Sequence, residues 1–301
     1  MSDSNGPAVT VFIHKGFGVH LGYALVQARR MNQNQRVILL GDAFNKGWAR
    51  RFGVEHYEID DFSKLASEFE KIYVNLSRNP LGYELFCFQR WLVLYEWWLN
   101  QKDVQKVLHL DSDVLTYQPT YELFRRFQNV SISFVNHCGH VSLIKSCQTL
   151  ALFVQFIMQW YSSPEQLAKL KLIYESDSRD GWAGVSDMTM FRMFHERFPN
   201  ILQDISKPSS DRTVIDLRMN DDDQKWKMCN GIKKVTIRNR RPFVRNLRDN
   251  LEYEFLLLHF QGTSKWQMRR YVTAGSLSDW MLLTGFQILR RLRIVKSASN
   301  Y

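Results

Sequence analysis

The sequence lacks the features that would assign it to a membrane-spanning or secreted class. No stretch approaches the ~20 consecutive apolar residues that span a bilayer, and the first residues carry Asp3 where a secretory leader would carry basic residues. The four cysteines, Cys87, Cys138, Cys147 and Cys229, form neither a C-x-x-C pair nor the spacing of a disulfide framework. We therefore expect reduced, mostly buried thiols and a cytoplasmic protein.

Internal repeats, low-complexity segments and nucleic-acid-binding motifs are also missing. The net charge is +10 over 301 residues, with arginine-rich runs at 238–248 and 290–296. A basic surface suits nucleic acid, anionic membranes or phosphate-bearing ligands, and charge alone does not choose among them. Without a motif, a solvated basic face is an equal alternative, and we expect no nucleic-acid partner.

The first half of the chain alternates strand-like and helix-like segments. Short apolar runs predict buried strands at 9–14, 36–40 and 104–110. Helical spacing of apolar residues predicts helices at 20–32, 61–72 and 83–100. This alternation predicts an α/β fold with a mainly parallel sheet and helices on both faces. Ligands of such sheets bind beyond the carboxyl ends of the strands.

The second half is less regular. Further strands are predicted at 131–136, 140–145 and 252–260, the first two on either side of a sharp turn at Gly139. Further helices are predicted at 146–161 and 186–197. The polar stretch 200–230 resembles a flexible loop.

Two aspartates, Asp111 and Asp113, directly follow the strand predicted at 104–110. Carboxylates one residue apart at a strand exit can direct oxygens at one hard cation. Mg²⁺ or Mn²⁺ in such sites takes one or two carboxylates together with substrate phosphates. A second D-x-D, at 221–223, lies in a polar loop without a preceding strand, and we interpret it as a solvated acidic patch. A turn capped by aspartate is the alternative for the first.

The segment KVLHLDSDVL resembles the metal-binding segment of GT-A glycosyltransferases. Residues 257–267, LLHFQGTSKWQ, resemble the H-x-x-G-x-x-K signature of glycogenin-like and lipopolysaccharide glycosyltransferases, although Trp266 directly follows the lysine where the family usually has Pro-Trp. The resemblance implies the GT-A fold, a nucleotide-diphosphate sugar as donor, and Mn²⁺ or Mg²⁺ as cofactor. The metal ligands that it implies are Asp111, Asp113 and His259. The donor contacts that it implies are Asp111, Ser112, Gly262 and Lys265. A core histidine is the alternative for His259.

Two other segments resemble the same family less specifically. FVNHCGHVSLI, residues 134–144, resembles its glycine loop, which implies that Gly139 lies beside the donor sugar. GVSDMTMFRMF, residues 184–194, resembles its later acidic helix, which begins here at Asp187. Asp187 is the general base if transfer inverts the configuration, and it positions the sugar or stabilises positive charge if transfer retains it. A helix-capping carboxylate is the alternative.

Arg90 lies within an apolar, aromatic helical segment, where an arginine needs an anionic partner. The resemblance favours a donor contact, and a buried ion pair is an equal alternative. We assign residues 8–296 to one domain. Its parts are a nucleotide-sugar half (8–130), an acceptor-facing half (131–275), and a helix (276–296) that closes the domain or contacts an anionic membrane.

These assignments predict a metal-dependent transferase that moves a sugar from a UDP-sugar to a hydroxyl of a glycan, glycolipid or protein. One rival is an NAD(P)-dependent oxidoreductase, because Gly16, Gly18 and Gly22 precede Asp42 as in a dinucleotide-binding fingerprint. Its glycines are one residue out of register, and the sequence contains no Tyr-x-x-x-Lys pair. The other rival is a non-catalytic protein that binds nucleic acid or a membrane.

Overall fold

The computed structural model of the chain describes residues 7–179, 184–273 and 285. The helix predicted at 276–296 lies outside the described residues, apart from Gly285. Among the residues described, no helix is both long enough and apolar enough to cross a membrane.

Strands and helices alternate in the first half of the described chain, as predicted. The strands are β1 (Ala8–Ile13), β2 (Val37–Gly41), β3 (Glu55–Glu58), β4 (Lys106–Leu110), β5 (Val114–Thr116), β6 (Ile132–Phe134), β7 (Val141–Ile144), β8 (Leu202–Asp204), β9 (Thr213–Ile215), β10 (Met228–Cys229), β11 (Ile232–Lys233), β12 (Val235–Arg238), β13 (Arg241–Arg245) and β14 (Glu252–His259). The α-helices are α1 (Val19–Met31), α2 (Lys46–Phe52), α3 (Lys64–Ile72), α4 (Leu81–Leu99), α5 (Thr120–Arg126), α6 (Cys147–Ser162), α7 (Pro164–Arg179) and α8 (Asp187–Arg197). Two 3₁₀ helices lie at Ile59–Phe62 and Gly262–Arg270.

The central sheet has seven strands in the order β3-β2-β1-β4-β7-β6-β8. Strands β3, β2, β1 and β4 are parallel to one another, and β8 is parallel to β6. Only β7 runs antiparallel to its neighbours β4 and β6. The predicted α/β class with a mainly parallel sheet is confirmed.

Both faces of the central sheet are buried, because successive side chains of a strand point to opposite faces. In β1, Val11 packs in the core formed with α3, α4, α6 and α8, while Phe12 packs in the core formed with α1, α2 and the second sheet. Trp91 and Trp97 of α4 are fully buried. Phe88 and Trp98 of the same helix are buried as well, so most of its aromatic side chains belong to the core.

A second sheet, which the sequence did not predict, joins β12, β13, β14 and β5, with β9 pairing in parallel to β14. Strand β5 pairs antiparallel to β14, with His259 opposite Val114. Because β4 belongs to the central sheet and β5 to the second, the residues between them, 111–113, connect the two sheets.

The interpretation of residues 200–230 as a flexible loop is wrong in part. This stretch contributes β8 to the central sheet and β9 to the second sheet. Three-residue strands have too few side chains for alternation to identify them, and their pairing partners are distant in sequence. The four cysteines are free thiols, as expected, but Cys229 is exposed and the other three are half-buried rather than buried.

Candidate active site

The D-x-D segment forms a tight turn at the carboxyl end of β4. The backbone N–H of Val114 donates to the Asp111 carbonyl at 3.1 Å, and the Asp111 N–H donates to the His140 carbonyl at 2.9 Å. The Asp113 carbonyl accepts from the Phe260 N–H at 2.9 Å. Backbone hydrogen bonds to both sheets therefore fix the conformation of this turn.

His259 reaches the turn because it ends β14, beside β5. Its Nδ1 lies 2.5 Å from the Leu217 carbonyl oxygen, which can only accept, so Nδ1 carries the proton. Nε2 is left to face Asp113 Oδ1, which lies 3.5 Å away. A divalent cation that replaced the proton on Nε2 would find an imidazole nitrogen and a carboxylate oxygen directed at the same point.

Asp111, Asp113 and His259 each offer a ligand atom, and these atoms lie within 4.8 Å of one another. Two carboxylate oxygens and one imidazole nitrogen suit Mn²⁺ better than a soft, thiolate-binding metal. The residues therefore fit the divalent ion that the sequence implied. Asp113 is 6% exposed and His259 3% exposed, so both side chains are held by packing.

Electrostatics at the turn favour a bound cation. Burial raises the pKa of the Asp113 carboxyl, but His259 and Lys265 outweigh that effect and hold it well below its usual range. The Arg90 guanidinium likewise outweighs burial and lowers the pKa of Asp111. Burial lowers the pKa of His259, yet Asp113 outweighs it and the net pKa is raised. Both carboxylates thus stay ionised and stabilise positive charge at the His259 position.

Lys265 lies in the 3₁₀ helix that follows β14, and its Nζ is 3.1 Å from Asp113 Oδ2. Gly262 begins this helix with φ +60°, a left-handed conformation that favours glycine. A Cβ at Gly262 would meet no atom within 4 Å, because the residue borders open space. A bare backbone and an ammonium group therefore flank the carboxylate cluster.

A cavity of about 880 Å³ opens in front of the cluster. Ser112, Asp111, Asp113, Gly262 and Lys265 all line it. The rest of its wall includes the loop after β1, the start of α1, the first 3₁₀ helix, α3 and α4. Those residues include His14, Lys15, His20, Asp60, Glu70, Tyr83, Phe86 and Arg90. The cavity lies at the carboxyl ends of β1 and β4, where α/β sheets bind ligands.

Arg90 bridges two carboxylates at the inner wall of the cavity. Its Nη1 donates to Asp111 Oδ1 at 2.5 Å, and its Nη2 donates to Asp187 Oδ2 at 2.6 Å. The Trp91 indole Nε1 also donates to Asp187 Oδ2, at 3.1 Å. Asp187 is 4% exposed and does not line the cavity. The structure thus connects Asp187 to the D-x-D turn through Arg90.

Asp187 begins α8, as predicted, but it is not the capping residue. Ser186 caps the helix by accepting from the Met188 N–H, and Thr189 completes a capping box. The Asp187 carboxylate is consequently available for Arg90 and Trp91.

Gly139 lies apart from the cavity wall. A Cβ at this position would come within 2.5 Å of Trp91 Cζ2 and 2.7 Å of Phe191 Cε2. Close packing against two aromatic rings is therefore a sufficient reason for glycine here. Its expected position beside the donor sugar stays a prediction.

Some residues of the site carried no signal in the sequence. His14 and His20 line the cavity with ring centroids 5.4 Å apart, and a Cβ at Gly18 would collide with His20. Asp42, the ribose-binding candidate of the oxidoreductase alternative, accepts from the N–H groups of Gly16 and Phe44. That carboxylate closes its own loop, which weakens the alternative.

Comparison with solved structures supports the assignment of the fold. The WbbM bifunctional glycosyltransferase, apo structure, aligns with a TM-score of 0.51 and 10% sequence identity, over 94% of this chain and 52% of that chain. The chain has the GT-A fold.

Two lower-scoring similarities are mouse xyloside xylosyltransferase 1, apo form, and the galactosyltransferase LgtC in complex with donor and acceptor sugar analogues. The first has a TM-score of 0.47 at 10% identity over 69% of this chain and 87% of that one. The second has a TM-score of 0.43 at 14% identity over 94% and 99%. No protein-family model matches the sequence, and no curated protein matches it.

Proposed function

We propose that this protein is a metal-dependent glycosyltransferase that transfers a sugar from a nucleotide-diphosphate sugar to an acceptor hydroxyl. The observation that carries the proposal is the convergence of Asp111, Asp113 and His259 at one edge of a large cavity. These residues are 148 positions apart at the extremes (259 − 111) and come from two sheets. A purely structural turn does not need a buried imidazole with its Nε2 directed at a carboxylate.

Asp111, Asp113 and His259 would hold a Mn²⁺ or Mg²⁺ ion. When bound, such an ion neutralises charge on the diphosphate leaving group. Lys265 contributes a second positive charge, which is free to contact a phosphate once Asp113 is neutralised by the ion. Gly262 leaves room for a phosphate to approach the backbone. A UDP-sugar is the donor that the resemblance of residues 257–267 favours.

Arg90 and Asp187 act, in this proposal, behind the donor. Arg90 lines the cavity and also fixes Asp111, so it orients the carboxylate that faces the metal. Asp187 fixes Arg90 in turn. Asp187 Oδ2 already accepts two hydrogen bonds. These contacts support a positioning role better than the role of a general base that removes the proton of an acceptor hydroxyl.

The acceptor is a hydroxyl of a glycan, glycolipid or protein. Cytoplasmic location and a peripheral contact of residues 276–296 with an anionic membrane belong to the same proposal. Vesicle flotation of the full chain, compared with a folded variant truncated at residue 275, tests the membrane contact.

The function is tested by incubating the protein with a panel of nucleotide sugars and measuring hydrolysis with Mn²⁺ and with EDTA. Many transferases slowly hydrolyse their own donor, so this assay needs no acceptor. We expect one donor to be hydrolysed only in the presence of the metal. Undiminished turnover in EDTA, or nicotinamide cofactor binding with no nucleotide-sugar binding, would overturn the proposal.

A further inference from the structure

Strand β9 and the residues that follow it run beside β14 as far as the proposed metal ligand His259. Strand β9 pairs in parallel with β14, and the chain continues past it in the same direction. The Asp216 N–H donates to the Leu257 carbonyl at 3.2 Å, and the Met219 N–H donates to the His259 carbonyl at 2.8 Å. Residues 216–219 therefore accompany β14 to the end that carries His259.

A buried ion pair fixes this segment. Lys233 Nζ lies 2.9 Å from Asp216 Oδ1, and the two side chains are 3% and 0% exposed. The other oxygen, Asp216 Oδ2, accepts from the His259 backbone N–H at 3.1 Å. Lys233 Nζ also donates to the Arg218 carbonyl, and the Lys233 N–H donates to the Met219 carbonyl at 2.8 Å. Lys233 thus contacts the chain on both sides of Leu217, and Asp216 joins it to the His259 backbone.

The same segment determines the orientation of the His259 ring. The Leu217 carbonyl accepts from Nδ1, so Nε2 is left to face Asp113. His140 stacks on His259 with ring centroids 4.0 Å apart and planes 14° apart. His140 Nε2 in turn donates to the Asp216 carbonyl at 2.9 Å. Two consecutive peptides therefore support the ring. The 216–217 peptide holds the stacked His140, and the 217–218 peptide binds the edge of His259.

A buried ion pair is a costly way to stabilise a fold, because removing two charges from water costs as much as their attraction returns. A pair of apolar residues would stabilise the core equally well, so the pair at Asp216 and Lys233 calls for another reason. Outer groups that hydrogen-bond a ligating histidine set its tautomer and ring orientation. The contacts of Asp216 and Lys233 match this role.

We propose that Asp216, Lys233 and His140 are positioning residues that fix the ring orientation of His259, with Nδ1 bound to the Leu217 carbonyl and Nε2 facing the metal. This inference rests on the proposed metal site. None of the three residues lines the cavity, and none touches the donor in this arrangement. Their effect on the reaction passes through His259 alone.

The deciding measurement is Mn²⁺ affinity, followed by electron paramagnetic resonance without nucleotide. The double variant Asp216→Asn/Lys233→Met keeps an oxygen for the His259 N–H and leaves no buried charge unpaired. We expect it to fold with an unchanged or higher Tm and to bind Mn²⁺ ~10–100-fold more weakly, the usual loss for an outer-shell partner. In metal-free protein at a pH where the His259 ring is neutral, histidine ¹⁵N shifts should report a mixture of His259 tautomers in place of one.

A matched control is Arg126→Met. Arg126 pairs with Asp211 just before β9, at 2.6 Å, but that pair is partly exposed and does not touch His259. This variant should bind Mn²⁺ as the wild type does. Wild-type Mn²⁺ affinity in the folded double variant would overturn the inference. If that variant does not fold, His140→Phe decides, since it keeps the stacked ring but loses the bond to the Asp216 carbonyl. Mn²⁺ affinity unchanged in His140→Phe would then reject the inference.

The two proposals fail in different ways. If the wild type does not bind Mn²⁺ at all, the proposed metal site is wrong. If the wild type binds Mn²⁺, Asp113→Asn abolishes binding and the double variant binds normally, only the positioning role is wrong.

Discussion

Lys265 forms an ion pair with Asp113, with Nζ 3.1 Å from Oδ2. In the proposed site, Lys265 contacts a phosphate of the donor and Asp113 binds the metal. The pair places a cation beside the carboxylate that a metal ion would use. A metal ion bound to Asp113 would repel this ammonium group, which could then contact a phosphate of the donor. We therefore expect Lys265 to oppose binding of the metal alone and to support binding of metal with nucleotide.

Lys265→Ala should thus weaken one affinity and leave the other unchanged or stronger. We expect weaker binding of UDP with Mn²⁺, by about 1.5–3 kcal/mol, the scale of a charge-assisted contact. We expect Mn²⁺ alone to bind as tightly as in the wild type or more tightly. Calorimetry with and without nucleotide measures both, and Lys265→Arg serves as the charge-retaining control. Equal UDP affinity in wild type and Lys265→Ala would refute the phosphate contact.

Asp113→Asn should abolish metal-dependent donor hydrolysis while preserving the shape of the side chain. We expect a loss of at least ~10²-fold, since one metal ligand and the charge near the diphosphate are both removed. Asp223→Asn, in the second D-x-D, is the control, because that carboxylate is exposed and accepts from the Lys225 N–H. Comparable activity of the two variants would show that the first D-x-D has no special role.

Asp187→Asn tests the connection through Arg90. The amide keeps the size of the carboxylate but leaves the buried guanidinium with one anionic partner, Asp111. We expect donor binding to be retained, transfer to fall by at least ~10²-fold, and unfolding free energy to fall by about 3 kcal/mol. Transfer assays and urea unfolding measure the two effects. A variant that is less stable but transfers at the wild-type rate would limit Asp187 to a structural role.

Two glycines should respond differently to alanine. At Gly139 the added Cβ collides with Trp91 and Phe191, so Gly139→Ala should cost about 1–3 kcal/mol of stability. At Gly262 the Cβ meets open space, and only the φ of +60° opposes it, at a cost of about 1–2 kcal/mol. Gly262→Ala should in addition weaken UDP binding. Thermal unfolding and calorimetry separate the effects, and unchanged UDP affinity would remove Gly262 from the donor site.

Acid should destabilise the protein through its buried histidines. Burial, aided by His259, lowers the pKa of His140 to about 3, and burial, aided by Lys265, lowers that of His14 to about 4, from a reference value of 6.5. Below pH 6.5 the unfolded chain binds protons that the folded chain excludes. The stability that these groups contribute is therefore complete above pH 6.5 and decreases as the pH falls towards their folded pKa values.

His140→Phe should remove one of these contributions. From pH 6.5 to pH 5 each such group accounts for about 2 kcal/mol. The loss of unfolding free energy over this range should be smaller in the variant by that amount, measured by urea unfolding in EDTA. The same loss in both proteins would mean that His140 is charged in the folded state.

The sequence predicted those parts of the molecule that depend on local patterns. Strand β1, helix α4 and the D-x-D turn have apolar runs or periodic faces long enough to identify them. Strands β5 and β9 have three residues each, and they pair with a strand that lies 143 (258 − 115) and 41 (255 − 214) positions later in the chain. His259 and Lys265 were predicted only by resemblance. The contact of Arg90 with Asp187, 97 positions away, had no counterpart in any local pattern.

The turn at residues 111–113 connects the two sheets, and this connection affects how the ligands are held. One sheet delivers Asp111 and the other delivers His259, so the separation of the ligands follows any sliding of the two sheets against each other. The distances between the ligand atoms therefore depend on the relative position of the two sheets. Substitutions between β5 and β14 that replace no ligand, such as a smaller residue at Leu115, would then weaken binding of the ion, and a bound ion would hold the two sheets together.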